Sequence, residues 1–135
     1  MTQTETFSLV LFSGTDDKLT AAGVLAVGAA AMGREVDVFL QYWALDAFRA
    51  DRIHKDHGAS PEAGAEGREL MQRHSAQHWS ELFRQAKEIG RVRIHACSLS
   101  METLEITGED LDPLVDGVQG VAAFFGQANG PVTFI

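Results

Sequence analysis

VRIHACSLSMETLE, residues 92–105, decides how this chain folds. Its first six residues carry β-branched Val92 and Ile94 and read as a strand. From Leu99 to Glu105 the composition turns to strong helix formers, Leu, Met and Glu. A strand that runs straight into a helix is half of a strand–helix–strand unit. The junction holds Cys97, the only cysteine in the chain.

The same alternation extends in both directions. Upstream, FSLVLF at 7–12 reads as a buried strand, and SGTDD follows as a turn in which Asp16 or Asp17 can cap a helix. Leu19, Ala22, Ala26, Val27 and Ala30 then recur at helical spacing, up to a C-terminal cap at Gly33. Residues 36–41, VDVFLQ, form the second strand, followed by the short apolar segment YWALDAF. Residues 49–67 are polar and Gly/Ala-rich without clean periodicity, and read as a mobile loop able to act as a lid. A long helix is expected from 69 to 89, with Met71, Trp79, Leu82, Phe83, Ala86 and Ile89 as its stripe and Gly90 as its end.

Downstream, TGED opens a helical turn capped by Thr107. A fourth strand is expected at 114–118, a small-residue helix at 120–128, a turn at NGP and a last strand at 132–135. Strand and helix alternate about five times. That order predicts right-handed crossovers and a sheet covered on both faces. The expected fold is an α/β, flavodoxin-like three-layer sandwich with a mainly parallel five-stranded sheet, in one domain over residues 1–135.

Composition narrows the function. The 135 residues are 45% apolar and 22% charged, as a folded domain requires. The net charge is −8, from 11 Lys and Arg against 19 Asp and Glu. Arg49, Arg52 and Lys55 are interleaved with Asp51 and Asp56, so there is no basic patch to displace counterions from phosphates. Nucleic acid and anionic membrane surfaces are therefore not expected partners. MTQTETFSLVLF lacks the basic n-region of a secretory signal, and no apolar run reaches the ~20 residues of a membrane span. One cysteine cannot form an internal disulfide. The expected location is the cytoplasm, where a thiol stays reduced.

In open parallel sheets, ligands bind at the carboxyl ends of the strands, and Cys97 sits at such an end. A helix that starts there offers free N–H groups and a positive dipole end, which favour a thiolate or a persulfide. Ser98 and Ser100 can add hydroxyl donors. His95 lies two residues back on the same strand face. The competing reading is a small packed core residue, since free cysteine is among the most buried residue types. A dithiol mechanism needs C-x-x-C, and a peroxidase that resolves internally needs a second thiol; both are absent. Glu102 and Glu105 make the site poor for phosphate. A thiol that carries something small fits better than one that hydrolyses phosphoesters.

Ser13 and Gly14 open the turn after the first strand, where flavodoxin-type proteins bind phosphate. Asp16 and Asp17 would repel phosphate there, so no flavin or other cofactor is expected. His74 and His78 are spaced i, i+4 but lack the Glu of H-E-x-x-H and a third ligand, so no metal is expected either. His54 and His57 lie in the polar loop, solvated or reaching a site as part of a lid. Tyr42 and Trp43 follow the second strand at the Cys97 edge of the sheet, and can wall a pocket, face a neighbouring subunit or simply pack.

Four segments, SGTDDKLTAAGVLAVGAAAMGREVDVF, QYWAL, ACSLSMETLEI and GVAAFFGQAN, together resemble the DsrE/DsrF-like superfamily. The similarity is greatest to its DsrE-like "peroxiredoxin family protein" branch, with A-A-A-M-G-x-E-V, A-C-x-M-S-M-[DE] and a closing G-V-A-x-F. Here Ala44 stands for a frequent Gly and Leu99 for a frequent Met, and residues 49–67 match no motif. The resemblance implies a flavodoxin-like fold, a homo-oligomer (trimer or hexamer) and intracellular sulfur trafficking between sulfur-donor and sulfur-acceptor proteins. It further implies a cysteine at the Cys97 position that takes up sulfane sulfur as a persulfide and passes it on, in the manner of a sulfurtransferase. Two alternatives stay open: a non-catalytic oligomeric binding or scaffold module with Cys97 inert, and a small-molecule or metal site using His95 with Cys97.

Overall fold

The computed structural model describes residues 5–74 and 77–135. Strands β1 (Phe7–Leu11), β2 (Val36–Leu40), β3 (Val92–Cys97), β4 (Gly117–Gln119) and β5 (Val132–Phe134) form one sheet. Their order is β4-β3-β2-β1-β5, and every pairing is parallel. The helices are α1 (Asp16–Ala31), α2 (Tyr42–Ala47), α3 (Gly64–His74), α4 (Trp79–Ile89), α5 (Ser98–Thr103) and α6 (Val121–Gln127). The flavodoxin-like three-layer sandwich is therefore the architecture found. No helix among the described residues is long and apolar enough to cross a membrane.

The strand order decides the layers. Each step from β1 to β2, β3 and β4 moves the same way, so right-handed crossovers put α1, α4 and α5 on one face. The return from β4 to β5 passes three strands in the opposite direction and leaves α6 alone on the other face. Alternation along each strand follows this split. Leu9, Leu11, Val38, Leu40, Ile94 and Ala96 enter the main core with Leu19, Ala22 and Ala26 of α1 and Phe83 and Ala86 of α4. Val10, Phe39 and Cys97 point the other way and pack with Phe124 of α6. Helices α1 and α4 touch closely where a Cβ on Gly23 would lie 2.8 Å from Leu82 Cβ. Each large side chain fully buried in this core contributes about 1.5–3 kcal/mol.

Several expectations are corrected. The long helix at 69–89 is two helices. Residues 79, 83 and 86 face α1, whereas α3 buries no residue at all and begins at Gly64, inside the stretch read as loop. The second helix starts at its own cap, His78, whose Nδ1 accepts the Ser80 N–H at 3.1 Å. Residues 75–76, between the two helices, lie outside the described residues.

The fourth strand begins at Gly117, not 114. Asp112 starts a turn in which its carboxylate accepts the Leu114 N–H at 2.9 Å and its carbonyl the Val115 N–H at 3.0 Å. Pro113 has no N–H to give a ladder, and Leu114 drops into the main core instead. Neither Asp16 nor Asp17 caps α1; Thr15 holds that position and its side chain makes no cap bond. The two carboxylates instead tie the loop to α1. Asp16 accepts Trp79 Nε1–H and the His57 N–H, each at 3.0 Å, and Asp17 accepts the Ser60 N–H and hydroxyl.

Candidate functional site

β3 and β4 are the one pair of neighbouring strands whose chains leave in opposite directions. β3 runs into α5, which adds Met101 to the main core; β4 runs into α6, on the other face. In open parallel sheets the carboxyl ends of two such strands are where ligands bind. Cys97 ends β3 there and pairs in register with Gln119, which ends β4. Register partners in a parallel ladder share a face, so both side chains belong to the α6 side. Where the two chains part, Ser98 Oγ lies 3.9 Å from where a Gly120 Cβ would stand.

Cys97 is only 5% exposed and belongs to one buried cluster with Val10, Phe39 and Phe124. The Phe124 and Phe39 rings stack with centroids 4.9 Å apart, and Phe124 is the only buried residue of α6. Phe124 is thus the one residue of α6 that is buried in the same cluster as the thiol. Cys97 is also the N-cap of α5, with extended φ/ψ and no side-chain cap bond. The first N–H groups of α5 are therefore left without a side-chain acceptor.

His95 faces the same side as Cys97, one row down, beside Gly117, where an added Cβ would meet the imidazole Cδ2 at 3.5 Å. Ser98 is exposed, whereas Ser100 is fully buried and its Oγ has no partner among the described residues. Gln119 Nε2–H donates to Gln127 Oε1 of α6 at 3.2 Å, and its own buried Oε1 has no partner. Sequence reasoning missed Gln119 because a polar residue on a three-residue strand carries no signal; only the strand order brings it beside the thiol.

Ser13, Gly14, Tyr42 and Trp43 form a second group at the ends of β1 and β2. A Cβ on Gly14 would lie 2.3 Å from the Trp43 carbonyl oxygen, and the Ala44 N–H donates to the Phe12 carbonyl. Ser13 Oγ lies 3.4 Å from Thr15 Oγ1. Tyr42 sits at φ +41°, a left-handed conformation costly for a residue with a Cβ. Its ring packs 5.7 Å from Phe12 and 6.1 Å from Trp43, itself half exposed. The loop histidines are placed elsewhere. His54 lies 5.8 Å from His78 and His57 6.0 Å from Trp79, ring to ring, beside the first turns of α1 and α4 on the main-core side. His74 ends α3 and His78 caps α4, so they do not share a helix. Among the described residues, no group of three or more His, Cys, Asp or Glu is placed to hold a metal ion.

The chain matches the DsrE/DsrF/DrsH-like family over residues 3–65 and 63–132. The uncharacterized protein YrkE of Bacillus subtilis (strain 168) is 29% identical, over 94% of this chain and 93% of that protein. A solved structure, that of the protein of unknown function MTH1491 from Methanobacterium thermoautotrophicum, is 19% identical with a TM-score of 0.48, covering 96% of this chain and 97% of that one.

Proposed function

This chain belongs to the DsrE/DsrF/DrsH-like family, and on that footing we propose that it is a sulfur-relay protein whose carrier group is Cys97. The observation that carries the proposal is position: the single thiol of the chain ends β3 at the sheet's one divergence of neighbouring strands, as the N-cap of α5. The Cys97 thiolate attacks the outer sulfur of a donor persulfide. The donor's S–S bond breaks, its thiolate leaves with the electron pair, and a Cys97 persulfide forms. An acceptor thiolate then attacks that outer sulfur and restores the Cys97 thiolate. The two steps involve no net oxidation and need no cofactor.

The surroundings have matching roles. The uncapped N–H groups of α5 and the amide of Gln119 supply hydrogen bonds to the anionic sulfur. Ser98 edges the opening, and His95 takes or gives the proton of the thiol; Ser13 and Gly14 support the Tyr42–Trp43 group at the ends of β1 and β2. Donor and acceptor are proteins of the cytoplasm, met at an edge walled by Tyr42 and Trp43. The protein works as a trimer or hexamer, which would cover the exposed apolar side chains Trp43, Leu99, Phe125 and Phe134.

Intact-protein mass spectrometry after brief exposure to a limiting persulfide donor, with free cysteine as competitor and Cys97→Ser as control, tests the proposal. Uptake of one sulfur atom by Cys97 ahead of free cysteine is the expected result. A second function, a non-catalytic scaffold with an inert cysteine, is favoured by one observation, the burial of Cys97 in a cluster with Phe124. It would be established by a native protein that stays unmodified while the unfolded protein reacts.

A further inference from the structure

On the main-core side of the sheet edge lies a cavity of about 360 Å³ that the sulfur chemistry does not use. Its wall includes Asp16, Lys55, Arg68, Met71, His78 and Trp79. The volume is in the range of small-molecule sites. Helix α3 covers it: Arg68, Met71 and Gln72, at i, i+3 and i+4, share one face and all line the cavity. Yet α3 is 11 residues long and buries none of them. A helix of that length is marginal by itself and needs packing to hold it.

The wall sets two cations, Lys55 and Arg68, beside two carboxylates, Asp16 and Asp56. The chain has 11 Lys and Arg against 19 acids, and among the described residues only Lys18, Lys55 and Arg68 make no ion pair. Two of these three line this cavity. The carboxylates on the same wall take neutral donors and not the two cations: Asp16 accepts Trp79 Nε1–H and the His57 N–H, and Asp56 accepts the Gly58 N–H at 2.8 Å. His78 adds a donor. Its Nδ1 accepts the Ser80 N–H, so the neutral ring carries its proton on Nε2, which is buried and has no partner. That tautomer leaves Nε2 no lone pair for a metal and suits an oxygen acceptor.

We propose that the cavity binds a small organic anion, its carboxylate or phosphorus/sulfur oxyanion head paired with Lys55 and Arg68 and its body packed beneath α3. Cavity size selects an organic anion over a bare inorganic one, and occupancy supplies the packing that α3 lacks.

The test uses the full chain as Trp43→Phe, which leaves Trp79 as the only tryptophan. Its fluorescence is titrated with phenylacetate and phenylphosphonate, and with acetate and sulfate as heads without a body. One or both aromatic probes are expected to saturate the signal, at least about tenfold tighter than acetate or sulfate. Which of them does so separates a carboxylate from a phosphorus oxyanion. Hydrogen exchange in residues 64–74 should slow on binding. Lys55→Gln/Arg68→Gln should weaken binding about tenfold or more at unchanged Tm, while Cys97→Ser should leave it intact. No saturation by any probe, equal binding of the bare heads, or full binding by the double variant would overturn the proposal.

Discussion

Cys97 and Gln119 occupy one register position on neighbouring strands, β3 and β4, and point to the same face of the sheet. Their chains then part, one into α5 and the other into α6. Gln119 Nε2 keeps a second N–H beside the one it gives to Gln127, and a persulfide anion needs donors. A hydrogen bond to a charged group is worth about 1.5–3 kcal/mol. Gln119→Leu is therefore expected to slow sulfur uptake at Cys97 by roughly tenfold to a hundredfold at unchanged Tm. Single-turnover mass spectrometry against the parent checks it, and an unchanged rate removes Gln119 from the site.

Phe124 is buried in the same cluster as the thiol. It is the sole buried anchor of α6 and stacks on Phe39. Phe124→Ala should cost about 3–5 kcal/mol where α6 stays docked, as other buried Phe truncations do. If α6 detaches instead, alkylation of Cys97 by iodoacetamide should rise well beyond any fall in Tm. Measuring both in one variant separates the outcomes. Unchanged alkylation at unchanged Tm would mean that Phe124 does not close the site.

Gly14 and Gly28 make a matched pair of opposite sign. A methyl group on Gly14 would meet the Trp43 carbonyl oxygen at 2.3 Å. Gly14→Ala should therefore destabilise by about 1–3 kcal/mol, as overpacking does, and displace the Tyr42–Trp43 wall. Gly28 lies within α1 with nothing within 4 Å. Gly28→Ala should stabilise by about 0.5–1 kcal/mol through helix propensity. Urea unfolding of the two variants reads both.

His78 makes stability depend on pH in a stated direction. Burial lowers its pKa below 6.5; Asp16 opposes the shift, while His54, His57 and Arg84 add to it. The unfolded chain therefore takes up the proton first. Stability is full above about pH 6.5 and falls as the pH drops from there through the lower folded value. Asn also caps helices, so His78→Asn should keep α4 in place and flatten the slope below pH 6.5. A Tm series for parent and variant decides it, and parallel curves would rule His78 out.

Phe125 and Phe134 are 56% and 65% exposed, around the face that α6 covers alone. If that face is the contact between copies, light scattering of the parent should give a trimer or hexamer. Phe125→Glu with Phe134→Glu should then give a folded monomer. A parent that is monomeric at high concentration would set the assembly aside.

The features legible along the chain are those with a local cause. Strand β3 shows in Val92 and Ile94, α1 in the spacing of Leu19, Ala22 and Ala26, and the helix ends in Gly33 and Gly90. Thr107 begins a capping box with Asp110, as its place in TGED predicts. The break between α3 and α4 was not legible, because Met71 and Trp79 look continuous as a stripe while only Trp79 finds a partner on α1. Nor was the work of Asp16 and Asp17, which resemble caps in sequence but serve a loop some forty residues away.

Sequence alone determined that this is a parallel α/β domain with a single thiol at the carboxyl end of a strand, because alternation and composition act over a few residues. Tertiary structure decided the rest. It set the order β4-β3-β2-β1-β5, put α6 by itself over Cys97, brought Gln119 beside the thiol and left Lys55 and Arg68 facing a cavity. Those relationships join residues far apart in the chain. Only the handedness of the crossovers and the packing of the layers brings them together.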